Sequence, residues 1–220
     1  MGEGIAWIGA HSALGSSAVL PGMLGGISLT CARGVGADEF LIALGADLDE
    51  LVGRTPCKDV VVPARRRADR SPHVNRAMYG TCGDWVYVLE DWGMATWATG
   101  YLTVESLRPA PDEEIVCVTM NAWNPPPRII HAPGDGHAWK AEIGQDTGRD
   151  SALDTALHEA DAVSPSIEEV GEAAVVAYHE EHGPQLPAAM FTAVGHYCGL
   201  SIAQETVQAG DLPAVLIPMV

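Results

Sequence analysis

The chain has 220 residues, enough to bury a sizeable core, and its 47% hydrophobic and 19% charged content excludes a disordered protein. A net charge of −17 excludes nucleic acid as a general partner, because phosphate backbones are held by clustered Lys and Arg. No run of roughly 18 uncharged apolar residues occurs, so no membrane span is expected.

Met1 to Gly26 carries Glu3 and no basic leader, which does not read as a secretory signal. The 5 cysteines are odd in number, widely spaced and form no CxxC, so neither a zinc ribbon nor a disulfide framework is expected. These features together predict a cytoplasmic protein with free thiols.

In chain order, His11 to Gly26 reads as a Gly/Ser/Pro-rich loop. Ile27–Arg33 alternates at period two and predicts a strand, and Gly34 and Gly36 end it. Asp38–Leu44 predicts a helix with acids in its first turn, its Phe40, Leu41 and Leu44 facing the sheet. Asp59–Pro63 predicts a short β-branched strand stopped by proline. Ala64–Tyr79 reads as an irregular basic loop containing Arg65, Arg66, Arg67, Arg70 and Arg76. It is either a solvated loop neutralising nearby acids or a set of Arg forks for an anion.

The stretch from Asp84 to Trp139 holds five of the 6 tryptophans. Its strands Asp84–Gly93, Glu114–Trp123, Arg128–His131 and Gly136–Lys140 predict an antiparallel meander. A short helix is expected over Thr99–Leu107, a stiff extended connection at Pro125–Pro127 and a tight turn at Pro133–Gly136. Glu142–Ser151 reads as a linker, after which the period becomes helical. Ser166–Glu169 predicts a capping box opening a helix that ends at Gly183-Pro184. A second helix is expected over Pro187–Tyr197, a third over Ile202–Gln208, and a last strand over Ala214–Ile217.

The unit Ile27–Ala46, with Leu29, Thr30, Arg33, Gly34, Leu44 and Gly45, resembles the start of a family of uncharacterised bacterial proteins. That family is found mostly in high-GC Gram-positive soil bacteria and is known as a domain of unknown function. Trp85, Glu90 and Gly93 are similar to its Trp-x-x-x-x-Glu-x-x-Gly strand, and His196–Pro218 looks like its ending. The arginine loop and the triple proline depart from the pattern. The resemblance implies a fold and a compartment, and no catalytic residue.

The expected fold is α+β. Residues 1–145 form an antiparallel Trp-rich meander sheet with helices packed on one face, and residues 146–220 a helical C-terminal part on the same core. Glu90 and Asp91 end a strand among tryptophans and are the candidate catalytic carboxylates; alternation points them to opposite faces. Trp85, Trp92, Asn121, Trp123 and Arg128 are the candidate ligand-binding residues, with Asn121 beside Glu90 if the meander is in simple register. If Glu90 instead pairs with Arg33 or Arg128, its role is structural. His179 and His182 share a helical face but match no metal motif, so no metal and no cofactor is expected. The expected function is non-catalytic binding of a small metabolite or a protein partner. The alternative is an enzyme of cyclase or isomerase type, with a carboxylate in an aromatic pocket.

Overall fold

Seven stretches of alternating or continuously apolar side chains can satisfy their backbone only by pairing, and they form one sheet. The computed structural model describes residues 4–13, 26–63, 74–120 and 127–218. The strands are β1 (Ser28–Arg33), β2 (Val74–Cys82), β3 (Trp85–Glu90), β4 (Glu114–Thr119), β5 (Arg128–Ala132), β6 (Trp139–Glu142) and β7 (Ala214–Pro218). Every pairing is antiparallel, in the order β6-β5-β4-β1-β3-β2-β7. The sheet is antiparallel and the fold α+β, as expected, but the strands do not follow chain order. β1 lies between β3 and β4, pairing Leu29 with both Leu89 and Val118.

The period-two alternation divides the sheet residues between two cores. One face carries Leu29, Cys31, Trp85, Tyr87, Leu89, Val116 and Val118. It is covered by α1 (Ala6–Ala13), α5 (Ala152–Glu159), α8 (Leu186–Cys198) and α9 (Gln204–Ala209), through Ile5, Ile8, Leu153, Leu157, Met190, Phe191 and Val207. The other face carries Ala32, Val86, Val88, Ile115, Cys117 and Ile130. Against it lie α2 (Ala37–Ala43), α3 (Leu48–Gly53) and α4 (Thr96–Gly100), by way of Phe40, Leu41, Leu51 and Trp97. Helices α2, α3 and α4 thus share one face, while α1 and the C-terminal part cover the opposite one and the chain returns β7 to the sheet.

α1 and α8 approach closely because Gly9 has no side chain: a Cβ there would lie 2.2 Å from the Pro187 carbonyl oxygen. His11–Ala13 belongs to α1 rather than to a loop. Asp59–Pro63 is not a strand. A 3-10 turn at Cys57–Asp59 leads into irregular chain with Val61 81% exposed. The β2 edge it could have joined is taken by β7, which pairs along Val74–Met78. Val74–Tyr79, expected in the basic loop, is the first part of β2, since pairing with β3 and β7 overrides its polar Asn75 and Arg76. Arg65, Arg66, Arg67 and Arg70 lie outside the described residues, as do Asn121 and Trp123.

α5 falls just beyond the expected linker. Ser151 caps it, accepting from the Asp154 amide, while Asp154 takes the Ser151 amide in return. That reciprocal capping box spans a partly buried helix start, so Ser151→Ala is expected to cost about 1 kcal/mol. Thermal melts check it, and a drop of roughly 2–4 °C is expected. The predicted box at Ser166–Glu169 is present, but it opens only α6 (Ile167–Val170). Gly171, at φ +82°, separates this turn from α7 (Glu172–His182), in which no residue is buried. The five cysteines are free thiols, with burial pushing Cys117 up to about 12. Among the described residues no helix is long and apolar enough to cross a membrane.

Candidate ligand-binding site

α4 is too short to stand by propensity alone, and three buried groups hold it in place. Glu90, at the end of β3, accepts the Thr96 amide at 3.0 and 2.9 Å on its two oxygens and the Thr96 hydroxyl at 2.6 Å. It thereby supplies the cap that Ala95 cannot. The Trp97 indole N–H donates to the Leu107 carbonyl at 2.7 Å, folding the chain back through a 3-10 turn at Glu105–Leu107. The helix expected over Thr99–Leu107 is therefore α4 and this turn, with a bend between them. Tyr101 stacks on Trp97, ring centroids 4.7 Å apart.

α4 covers the sheet over β3 and β4 but leaves β5 and β6 partly open, and a groove runs there. One part, about 300 Å³, is lined by Tyr101, Leu102, Arg108, Ala132, His137 and Ala138 among others. A second, about 70 Å³, is lined by Met94, Ala95, Thr99, Thr119, Arg128 and Lys140 among others. Lys140 lines the second, and its ammonium lies 5.3 Å from the ring centroid of Tyr101, which lines the first. The far wall depends on Gly134, at φ +80°, where a Cβ would lie 2.4 Å from the Glu113 carbonyl oxygen. That turn at Pro133–Gly136 was legible in the sequence.

On the opposite face, Glu114 ties three elements together. Its Oε2 lies 2.5 Å from Arg33 of β1. Its Oε1 accepts from His131 of β5 at 2.8 Å and from the Tyr197 hydroxyl of α8 at 2.5 Å. Burial pushes the Glu114 carboxyl up, but the His131 and Tyr197 bonds and the Arg33 charge outweigh it and hold it below its ordinary value. Burial and the same hydrogen bond push the Tyr197 phenol up. A carboxylate so fully bonded is a clasp between sheet and helix. Charged or polar positions in otherwise apolar strands were its sequence signal.

The sequence-predicted site residues that the structure describes do not gather on one face of the sheet. Trp85 is buried on the Glu114 face, with Arg33 5.0 Å from its ring centroid and Tyr197 at 6.1 Å. Glu90 faces the other core, from the far end of the same strand. Its partner is Thr96, not Arg33 or Arg128, so the ion-pair expectation is corrected. Burial outweighs the Thr96 bonds and raises the Glu90 carboxyl to about 7. Asp91 is buried in the following turn and accepts the Trp92 amide at 2.7 Å. Trp92 sits there at φ +65° and is 54% exposed. Arg128 lines the smaller cavity, opposite Thr119 of β4 and Glu142 of β6. Since β1 separates β3 from β4, a simple meander register between Glu90 and the end of β4 does not exist. Lys140, Tyr101, Arg108 and His137 were missed as a set. Only the scarcity of lysine, Lys58 and Lys140 being the two in the chain, marked one of them.

A larger open cleft, about 990 Å³, lies among α5, α6 and α7. Its polar groups bond one another: His158 to Asp146 at 2.7 Å, the Ser164 hydroxyl to the Gly144 carbonyl at 2.6 Å, and Ser166 with Glu169. His179 and His182 stand in the last turn of α7. Among the described residues no three His, Cys, Asp or Glu side chains gather as metal ligands would. Comparison with protein-family models, curated proteins and solved structures found no match to the chain.

Proposed function

We propose that the protein is a non-catalytic binding protein for a small metabolite in a bacterial cytosol, with the groove beside α4 as its site. The observation that carries this reading is a contrast between two kinds of polar group. Buried Glu90 and Glu114 are bonded within the protein, whereas Lys140, Arg108 and His137 line open space beside apolar walls. Apolar walls with a few convergent polar groups are the usual make-up of a small-molecule site.

The enzyme reading draws on Glu90, whose carboxyl near 7 suits proton transfer and whose partner Thr96 adjoins Ala95 and Thr99 of the smaller cavity. One experiment separates the two. Native mass spectrometry of protein purified from its host is expected to show a small molecule bound unchanged. Ala138→Trp, which fills the larger cavity, is expected to lose it with little effect on melting. Conversion of the molecule to a product would establish the enzyme, and retention by Ala138→Trp would move the site elsewhere.

A further inference from the structure

Among the described residues, the two cavities of the groove have no Asp or Glu in their lining, although the chain carries 29 of these acids against 12 Lys and Arg. The lining instead includes Arg108, Arg128, His137 and Lys140. Such a local inversion of charge matters in a chain of net charge −17, whose general field repels anions.

Elsewhere three of the described cations pair with acids, while Arg76 donates to the Cys57 carbonyl at 3.3 Å and Arg149 lies 4.0 Å from the Trp139 ring centroid. Lys58 lies 2.7 Å from Asp211, Arg33 2.5 Å from Glu114 and Arg54 3.7 Å from Asp38. Lys140 makes no ion pair among the described residues. It rests on the Tyr101 ring, which is itself fixed by stacking on Trp97. A cation–π contact positions an ammonium without cancelling its charge. Arg108 donates from Nη2 to the Leu102 carbonyl at 3.2 Å, and a guanidinium has five N–H donors in all. Arg128 stands across from Glu142 in the β5–β6 register, so the cations that define the groove are Lys140 and Arg108. Leu102, Pro109, Ala132 and Ala138 complete the larger cavity with apolar surface.

Resting on the reading of this groove as a ligand site, we propose that its ligand is a small organic oxyanion, a carboxylate or phosphate with a compact apolar body. Lys140 supplies a fixed point charge and Arg108 a fork that matches an oxyanion in two bonds. Leu102, Pro109, Ala132 and Ala138 take the body. The volume of about 300 Å³ sits at the lower limit for ligand cavities, which suits a compact ligand.

The test is a two-dimensional amide NMR titration of the full chain at low ionic strength. The probes are benzoate, phenyl phosphate, inorganic phosphate, benzyl alcohol and benzylamine, each to millimolar concentration. Benzoate or phenyl phosphate is expected to shift the amides of Tyr101, Gly136 and Ala138, while benzyl alcohol and benzylamine leave them in place. The stronger of the two acids identifies the head group, and inorganic phosphate shows whether the head binds alone. Lys140→Met, at an exposed position, is expected to keep its melting temperature and weaken the acids at least tenfold, as should Arg108→Gln. Salt at 0.5 M should weaken binding likewise.

Equal shifts by benzyl alcohol, or acid binding unchanged in both variants, would overturn the oxyanion class while leaving the groove as a site. Silence of the groove amides to all five probes would overturn the class as well. In that case the molecule retained by native protein and lost in Ala138→Trp still decides the groove independently.

Discussion

Glu114→Ala is expected to lower the melting temperature by roughly 6–12 °C, from a loss of about 3 kcal/mol. The substitution removes the acceptor shared by His131 and Tyr197 and leaves both donors without it beneath α8. Arg33 is nearly half exposed, so water replaces the carboxylate on that side and the cost falls on the two other partners. Because this carboxylate joins the Tyr197 end of α8 to β1, β4 and β5, amides at the C-terminal end of α8 should lose hydrogen-exchange protection first.

The acid limb follows from the same geometry. Glu114 is held below its ordinary value in the folded chain, so its contribution is present above the unfolded carboxyl pKa of about 4.3 and is lost as pH falls through the folded value. Glu114→Gln, which keeps an acceptor but no charge, should flatten that loss. Denaturant melts at pH 3, 4 and 6 check it, and an unaltered acid limb in Glu114→Gln would remove Glu114 as its source.

Glu90 should produce the opposite slope. Its carboxyl is raised from 4.5 to about 7 by burial, against the opposing bonds from Thr96. Between those values the folded chain holds a proton that the unfolded chain has released, so stability falls as pH rises. At ~1.4 kcal/mol per pH unit, a rise from 4.5 to about 7 corresponds to roughly 3 kcal/mol lost between pH 4.5 and pH 7. The loss levels off above that range.

Glu90→Gln stays neutral at every pH and keeps one oxygen for Thr96. It should therefore be less stable than the parent by about 1 kcal/mol near pH 5 and more stable by about 2 kcal/mol at pH 8. Urea melts at the two pH values read this crossing directly. A buried ion pair with Arg33 or Arg128, the other role the sequence allowed, would make the variant less stable at both. Loss of stability at pH 8 is thus the result that would reject burial as the dominant influence on Glu90.

Local chemistry made much of the fold readable. Leu29 and Cys31 alternating with Thr30 and Ala32 marked β1, Trp85–Glu90 marked β3, and Ser166 with Glu169 marked a helix start. Gly199, at φ +62°, closes α8 within two residues of the expected end. These signals reside in neighbours three or four residues apart, so one chain segment contains all of each.

The strand order was of another kind. β1 enters between β3 and β4 because its two apolar faces complete both cores at once, and nothing within Ser28–Arg33 reports which edges it will find. The same insertion moved Glu90 away from the end of β4, while alternation along β3 puts Trp85 on the opposite face from it. The groove was likewise decided in three dimensions. Tyr101, Arg108 and His137 come from separate turns, and only the sheet and the Trp97–Tyr101 stack bring them to one cavity, with Lys140 of the neighbouring cavity against the Tyr101 ring. Sequence alone determined an acidic α+β chain and most of its elements, since periodicity and capping act over a single turn or strand. Tertiary structure alone decided which carboxylates are bonded internally and where cations face open space, because pairing and burial depend on residues up to 195 positions apart, as in Trp7 and Ile202.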